Sequence, residues 1–242
     1  MTAEDADDRP WVQVALFALP GLLLAVVGLT HPHHLTIDSA GHWWRMHVVL
    51  LPLFPLLGFA LAALVRGRRD PLAWVVRLGA YAYATGYGAL DLLAGVATGY
   101  VIDPAVSAGD GPAPEAVPRL FAIGNDLGTI GAWAFLAAAV PVAADAVRRT
   151  GLRAVGPGLL LVVASVSFLD SHIYRWVGVI TVLLIGLATG WLRSLRPSSS
   201  TRPADRSGEF REARVHQRRT PRHLSSSVRL PSRGRGASAD LS

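Results

Sequence analysis

Residues 42–69 read HWWRMHVVLLPLFPLLGFALAALVRGRR, and the positions from Val48 to Val65 within them carry no charge. At 1.5 Å per residue a helix over that run covers about 27 Å, close to the roughly 30 Å hydrocarbon core of a bilayer. The flanks differ in kind: histidine and tryptophan precede the run, and three arginines follow it. This asymmetry predicts a transmembrane helix that leaves a histidine-rich surface and arrives at an arginine-rich one.

The same pattern extends along the chain. Apolar runs occupy Trp11 to Leu29, about Leu72 to Tyr100, and Leu120 to about Val147, and a last stretch from Ala154 to Leu192 is cut by Asp170-Ser-His-Ile-Tyr-Arg175. With 51% hydrophobic residues and a mean hydropathy of +0.37, the composition is that of a membrane protein. The expected fold is all-α, a polytopic bundle of six transmembrane helices over 11–192, or five if the last stretch is a single broken segment. An acidic N-terminus (1–10) precedes it, and a disordered Arg/Ser/Pro-rich tail (193–242) follows, too poor in apolar residues to build a core.

Local signals refine this picture. Pro20-Gly21 predicts a kink in the first helix. Asp38 or Ser39 is suited to cap the second, and Trp43 and Trp44 fall where an interfacial belt belongs. Pro52 and Pro55 point to a central position for the second helix, since a freed carbonyl inside a bilayer needs a neighbouring helix to satisfy it. Pro118 fits the first turn of the fourth.

All 23 basic residues are arginine, and ten lie beyond Thr201, so the formal charge of +6 mostly describes the tail. In the body, a six-span topology gathers Arg9, Arg66, Arg68, Arg69, Arg77, Arg148, Arg149, Arg153, Arg193 and Arg196 on one side and leaves Arg45, Arg119 and Arg175 on the other. The positive-inside rule then places both termini in the cytoplasm of a bacterial cell whose inner membrane holds the chain. Glu4, Asp5, Asp7 and Asp8 are the reverse of a signal-peptide n-region, so the first run is expected to be retained. The lipid bilayer is the expected partner, with anionic headgroups as a contact for the tail. No nucleic-acid-binding pattern, HExxH, Walker A or GxSxG motif is present, and the absence of cysteine removes thiolate chemistry and Cys-ligated metals.

Polar residues concentrate on the outer side. His31, His33, His34, His42, His47 and His172 all fall there, with Asp38 and Asp170. Neutral imidazole suits copper, zinc, nickel or haem iron, so these six are candidate ligands of a transition-metal ion or haem, with Met46 as a further donor and His47 with His172 or His31 as the axial pair. Asp38 and His42, one turn apart, could pair as a ligand and its orienting carboxylate.

A second group lies deeper. Asp91, Asn125, Asp126 and His47 reach a common depth of about 10 to 14 Å from their helix ends. Carboxylates cost about 2.5 to 3.5 kcal/mol in hydrocarbon, so both aspartates are expected to face the bundle interior as a proton or polar relay that includes Tyr87. Tyr83, Tyr87, Asp91 and Gly95 recur at i+4, as do Asn125, Thr129 and Trp133, while Gly124, Gly128 and Gly131 would admit a close neighbour.

The strings HPHHL and HWWRMHVVLLPLFPLLG, with the later SHI hairpin, resemble multi-helix integral membrane proteins of actinobacteria over about 11–192. The resemblance implies a membrane location and supplies no activity or site residues. Three functions fit the sequence: a metal or haem site on the outer face, a proton-linked small-solute transporter or sensor using Asp91 and Asp126, and a structural membrane protein with no ligand.

Overall fold

The structure is a computed structural model that describes residues 10–106, 115–171, 173 and 175–196. The chain divides into a unit of residues 1–198 and a second of 199–242, and the second lies wholly outside the described residues, as do the acidic residues 1–9 and His172. The described residues form helices and the turns and loops that join them. In chain order they form α1 (Pro10–Gly28), α2 (Ile37–Leu64), α3 (Pro71–Leu90), a π-helical segment Asp91–Ala97, α4 (Thr98–Ile102), α5 (Ala116–Thr150), α6 (Val155–Ser167) and α7 (Arg175–Ser194).

Four helical stretches are long and apolar enough to cross a bilayer: Pro10–Gly28, Ile37–Leu64, Ala116–Ser167 and Arg175–Ser194. The third of these is not one rod. Gly151 takes φ 64°, a left-handed conformation that favours glycine, and closes α5. A short 3₁₀ turn, Gly151–Ala154, then starts α6, and a Cβ on Gly158 would lie 3.3 Å from Ala143, so the two arms fold back on each other. The cut at 168–174 separates α6 from α7, giving two helices where the sequence left one or two open. The stretch from Pro71 to Ile102 falls outside the apolar set because Arg77, four tyrosines and its glycines lower its hydropathy.

The helices close a ring in which α1 packs on α2, α2 on α3, α3 on α5, α5 on α6, α6 on α7, and α7 on α1. Small residues set the closest approaches. A Cβ on Gly21 would meet the Val182 carbonyl and lie 2.6 Å from the Gly186 Cα, so α1 and α7 touch backbone to backbone. Gly124, Gly128 and Gly131 do the same for α5, against Ala94, Leu90 and Tyr87. α2 also reaches α7 and α5, the central position its prolines pointed to, and α1 runs continuously through Pro20.

Phe54, Tyr83, Tyr87, Phe135 and Phe168 meet in the middle, with Tyr87 and Phe168 stacked at 4.8 Å. Outward faces are apolar as well, with Leu16, Val26, Phe59, Leu78, Ile130 and Val163 exposed, as lipid-facing surfaces are.

One end of the ring is held by charge. Asp145, buried, receives Arg68, Arg148 at 3.0 Å and Arg149 at 2.9 Å, and Arg77 donates to the carbonyls of Val65 and Arg68. Asp70 caps α3 by accepting from the Ala73 amide, and the Arg68 guanidinium hydrogen-bonded to it holds its carboxyl below the usual range. At the other end α2 begins earlier than the sequence indicated. Thr36, not Asp38 or Ser39, is the N-cap, and Ser39 at N3 answers it in a capping box. Trp43 is also displaced from the expected belt: it is buried, and its indole Nε1 donates to the Ala94 carbonyl at 3.3 Å. Trp44, half-buried, donates instead to Asp103 at 2.9 Å.

Candidate functional site

The histidine end holds a cavity of about 430 Å³ between α2, the π segment, α5 and the loop that joins α1 to α2. His33 and His34, both exposed, stand at its mouth; His31, Trp43 and His47 form one wall; Leu90, Ala94, Gly95 and Phe121 complete the lining; and the buried Asp91 borders it as well.

The π segment positions the acid. A π turn, a form common at functional sites, begins at Asp91, and both Asp91 and Gly95 on it lie against His47 of α2. Gly95 has no Cβ, and one built there would overlap the His47 imidazole carbons. The His47 ring occupies that space. Its Nδ1 donates to the Trp43 carbonyl at 2.7 Å, which in the neutral ring leaves Nε2 as the acceptor, 4.0 Å from Asp91 Oδ1. The other carboxylate oxygen, Oδ2, is buried and has no hydrogen-bond partner among the described residues. An uncompensated buried carboxylate oxygen is rare in a folded protein and needs a proton, water or ligand beside it.

Ring contacts connect the mouth to this pair. His31 meets Trp43 at 4.9 Å and His47 at 5.3 Å, both edge to face, and Trp43 meets Phe121 at 6.2 Å. His31 Nδ1 donates to the Pro32 carbonyl at 2.7 Å. Burial pulls the His31 imidazole below its ordinary value, and nearby His42 and His33 add to this against the opposing Pro32 bond.

Of the residues singled out from sequence, the structure brings His31, His33, His34, His47, Asp91 and Asn125 to the lining of one cavity. It does not bring Asp126 there. The inward face of α5 is the glycine face at 124, 128 and 131, and at 100° per residue position 126 points away from it, so Asp126 is exposed. The same rotation exposes Thr129 and Trp133, so beyond Asn125, which borders the cavity, the i+4 stripe runs along an outer face. Tyr87 lies one turn from Asp91 within the aromatic core.

The metal reading is not supported. Among the described residues, no three His, Asp or Glu side chains converge to hold a metal ion. His42 is exposed and its Nε2 donates to the Thr30 carbonyl at 2.9 Å, a loop tie, not a pairing with Asp38. Met46 is buried in the hydrophobic core. As a haem pair, His31 and His47 fail on geometry, because their rings touch edge to face and leave no slot for a macrocycle between them. His172, the other suggested axial ligand, lies outside the described residues.

Sequence reading missed Trp43, Phe121 and Gly95 as parts of the site. Gly95 carried a signal, since it follows Asp91 by four and precedes Gly99 by four, and a Cβ on Gly99 would in turn lie 2.8 Å from Trp43. No family model matches this chain, and no curated protein or solved structure does either.

Proposed function

We propose that this chain is a six-span protein of a bacterial inner membrane, with both termini in the cytoplasm, whose outer end binds a small ligand in linkage with a proton. It is a proton-linked carrier or sensor, and Asp91 with His47 forms the titrating pair. The observation that carries this reading is the buried Asp91 carboxylate, 4.0 Å from His47 Nε2, in the wall of a cavity whose mouth is formed by exposed histidines.

Six spans are supported by the six-helix ring, in which α6 and the segment carrying Asp91 complete the circuit among the four strongly apolar stretches. Orientation is supported by the arginines. Arg66, Arg68, Arg69, Arg77, Arg148, Arg149, Arg153, Arg193 and Arg196 belong to one end, and Arg45, Arg119 and Arg175 to the other. Lengths agree with this frame: α5 has 35 residues, about 52 Å, so some fifteen extend beyond the hydrocarbon. With Arg148 and Arg149 at the cytoplasmic surface, Asp126 then falls near the outer headgroup region, where an exposed carboxylate is tolerated.

The test is infrared difference spectroscopy on the purified protein in lipid across pH 5 to 9. A buried carboxylic acid band should appear on acidification and vanish in Asp91→Asn, and its midpoint should move in His47→Gln. A spectrum unchanged by Asp91→Asn refutes the reading.

A further inference from the structure

We propose that the arginine end of the helix ring binds the phosphodiester headgroup of an anionic phospholipid, in a cleft between α2, α5 and α7 that Arg149 and Arg196 line. The cleft lies at the opposite end of α2 from the histidine cavity and does not depend on the proton-linked reading.

Charge leads to it first. The buried Asp145 also borders this cleft, and its two oxygens are already taken by Arg68, Arg148 and Arg149. Arg196, half-buried, makes no ion pair or side-chain hydrogen bond among the described residues, and Asp145 attracts it only from beyond ion-pair distance. Burial lowers the Arg196 pKa to about 10, and the charges of Arg149 and Arg193 add to this against the pull of Asp145. At neutral pH it is still protonated, a half-buried cation among cations. An anion beside it relieves the repulsion and replaces lost hydration with charge-assisted hydrogen bonds.

The excess is large enough to matter. Among the described residues of this cluster, the guanidiniums of Arg68, Arg148, Arg149, Arg193 and Arg196 face two carboxylates, Asp70 and Asp145. The C-terminal ends of α5 and α7 offset about half a charge each. About two positive charges are then left, and one phosphodiester, with its single negative charge, removes about half of that excess.

Shape and position select the ligand. A guanidinium forks two donors onto a phosphate, and the contact of Arg149 Nε with Asp145 at 2.9 Å uses one of its five. The cleft measures about 30 Å³, room for about two or three waters, and so for the oxygens of one phosphate but not for a whole lipid. Apolar side chains of all three helices, Leu64, Val142 and Leu192, line it as well. Arg148 and Arg149 lie in the last turn of α5 and Arg193 in that of α7, with Arg196 just beyond, so the cluster stands where apolar spans end and headgroups begin. A phospholipid of the adjoining leaflet delivers its phosphate at that level while its acyl chains stay in hydrocarbon.

The experiment is native mass spectrometry of the full-length protein in nonionic detergent, titrated with phosphatidylglycerol or with phosphatidylcholine of the same acyl chains. One phosphatidylglycerol is expected to bind about tenfold or more tightly than phosphatidylcholine, the effect of one to two arginines at headgroup level. That preference should be lost in Arg149→Gln/Arg196→Gln. It should survive in Arg66→Gln/Arg69→Gln, which removes the same charge from two exposed arginines of the same end that do not line the cleft. Equal binding of the two lipids by the wild-type protein overturns the proposal without recourse to a variant. An equal loss of preference in both double variants overturns it too, because it shows a diffuse field and not a site. Displacement of the lipid by millimolar inorganic phosphate would assign the cleft to a free anion instead. A preference that emerges only when Glu4, Asp5, Asp7 and Asp8 are replaced by their amides would assign it to the chain's own acidic segment, and either result ends the lipid proposal.

Discussion

Alanine at Gly95 tests whether the site is built as described. The new Cβ would overlap the Cγ and Cδ2 of His47 and lie 2.8 Å from its Cβ, so the imidazole must leave. Its retreat is hindered by the bond from Nδ1 to the Trp43 carbonyl and by the buried Trp43 ring beside it. Overpacking a closed site costs about 1–3 kcal/mol and the lost hydrogen bond about 1 kcal/mol, while replacing a helical glycine returns about 0.5–1 kcal/mol. Steric conflict wins, and the net is a destabilisation of about 2 kcal/mol. Gly88, in the last turn of α3 just before that segment, has nothing within 4 Å of its would-be Cβ, so alanine there keeps the backbone gain with no clash and should stabilise by about 0.5–1 kcal/mol. At about 2–4 °C per kcal/mol for a chain of this size, the two variants should melt roughly 5–10 °C apart on opposite sides of the wild type. Thermal unfolding in detergent followed by tryptophan emission measures this. Gly95→Ala melting at or above the wild type would refute the placement of His47 against Gly95.

Asp145→Ala leaves Arg68, 14% exposed, and two further arginines around a missing carboxylate, and should destabilise by about 2–4 kcal/mol, whereas Arg148→Ala, whose side chain is 69% exposed, should change stability by less than about 1 kcal/mol; melting both variants at low and high salt compares them. Thr36→Ala removes the cap of α2 and should cost about 1 kcal/mol, seen as faster amide exchange confined to the first turn from Ile37. His31 has a folded-state pKa below its unfolded 6.5, so folding disfavours its proton: its contribution is complete above pH 6.5 and is lost as pH falls from there through the folded value. Melting temperature should therefore drop between pH 7.5 and pH 5, and His31→Gln should reduce the drop.

Hydropathy and charge alone were enough to read an all-helical chain with helices able to cross a membrane, because both are set by transfer from water and need no knowledge of neighbours. Length and apolarity likewise located α1 and α2 to within about a residue at most ends, and the glycines at 124, 128 and 131 identified the face of α5 that another helix covers. The inward direction of Asp91 followed from its i+4 relation to Tyr83 and Tyr87. Equal polarity and equal depth, however, cannot tell Asp91 from Asp126. Helix rotation separates them, and rotation is fixed by which faces pack, a property of pairs of helices that no single helix carries. For the same reason the histidines looked like a metal site in one dimension but, in three, His42 ties a loop, His33 and His34 stand at a mouth, and His47 is the one among the described residues that pairs with Asp91. The sequence by itself determined what each segment prefers to be buried in; the tertiary structure decided which side chains share a space, because the π turn at Asp91 and the missing Cβ of Gly95 act only once α2 is packed against them.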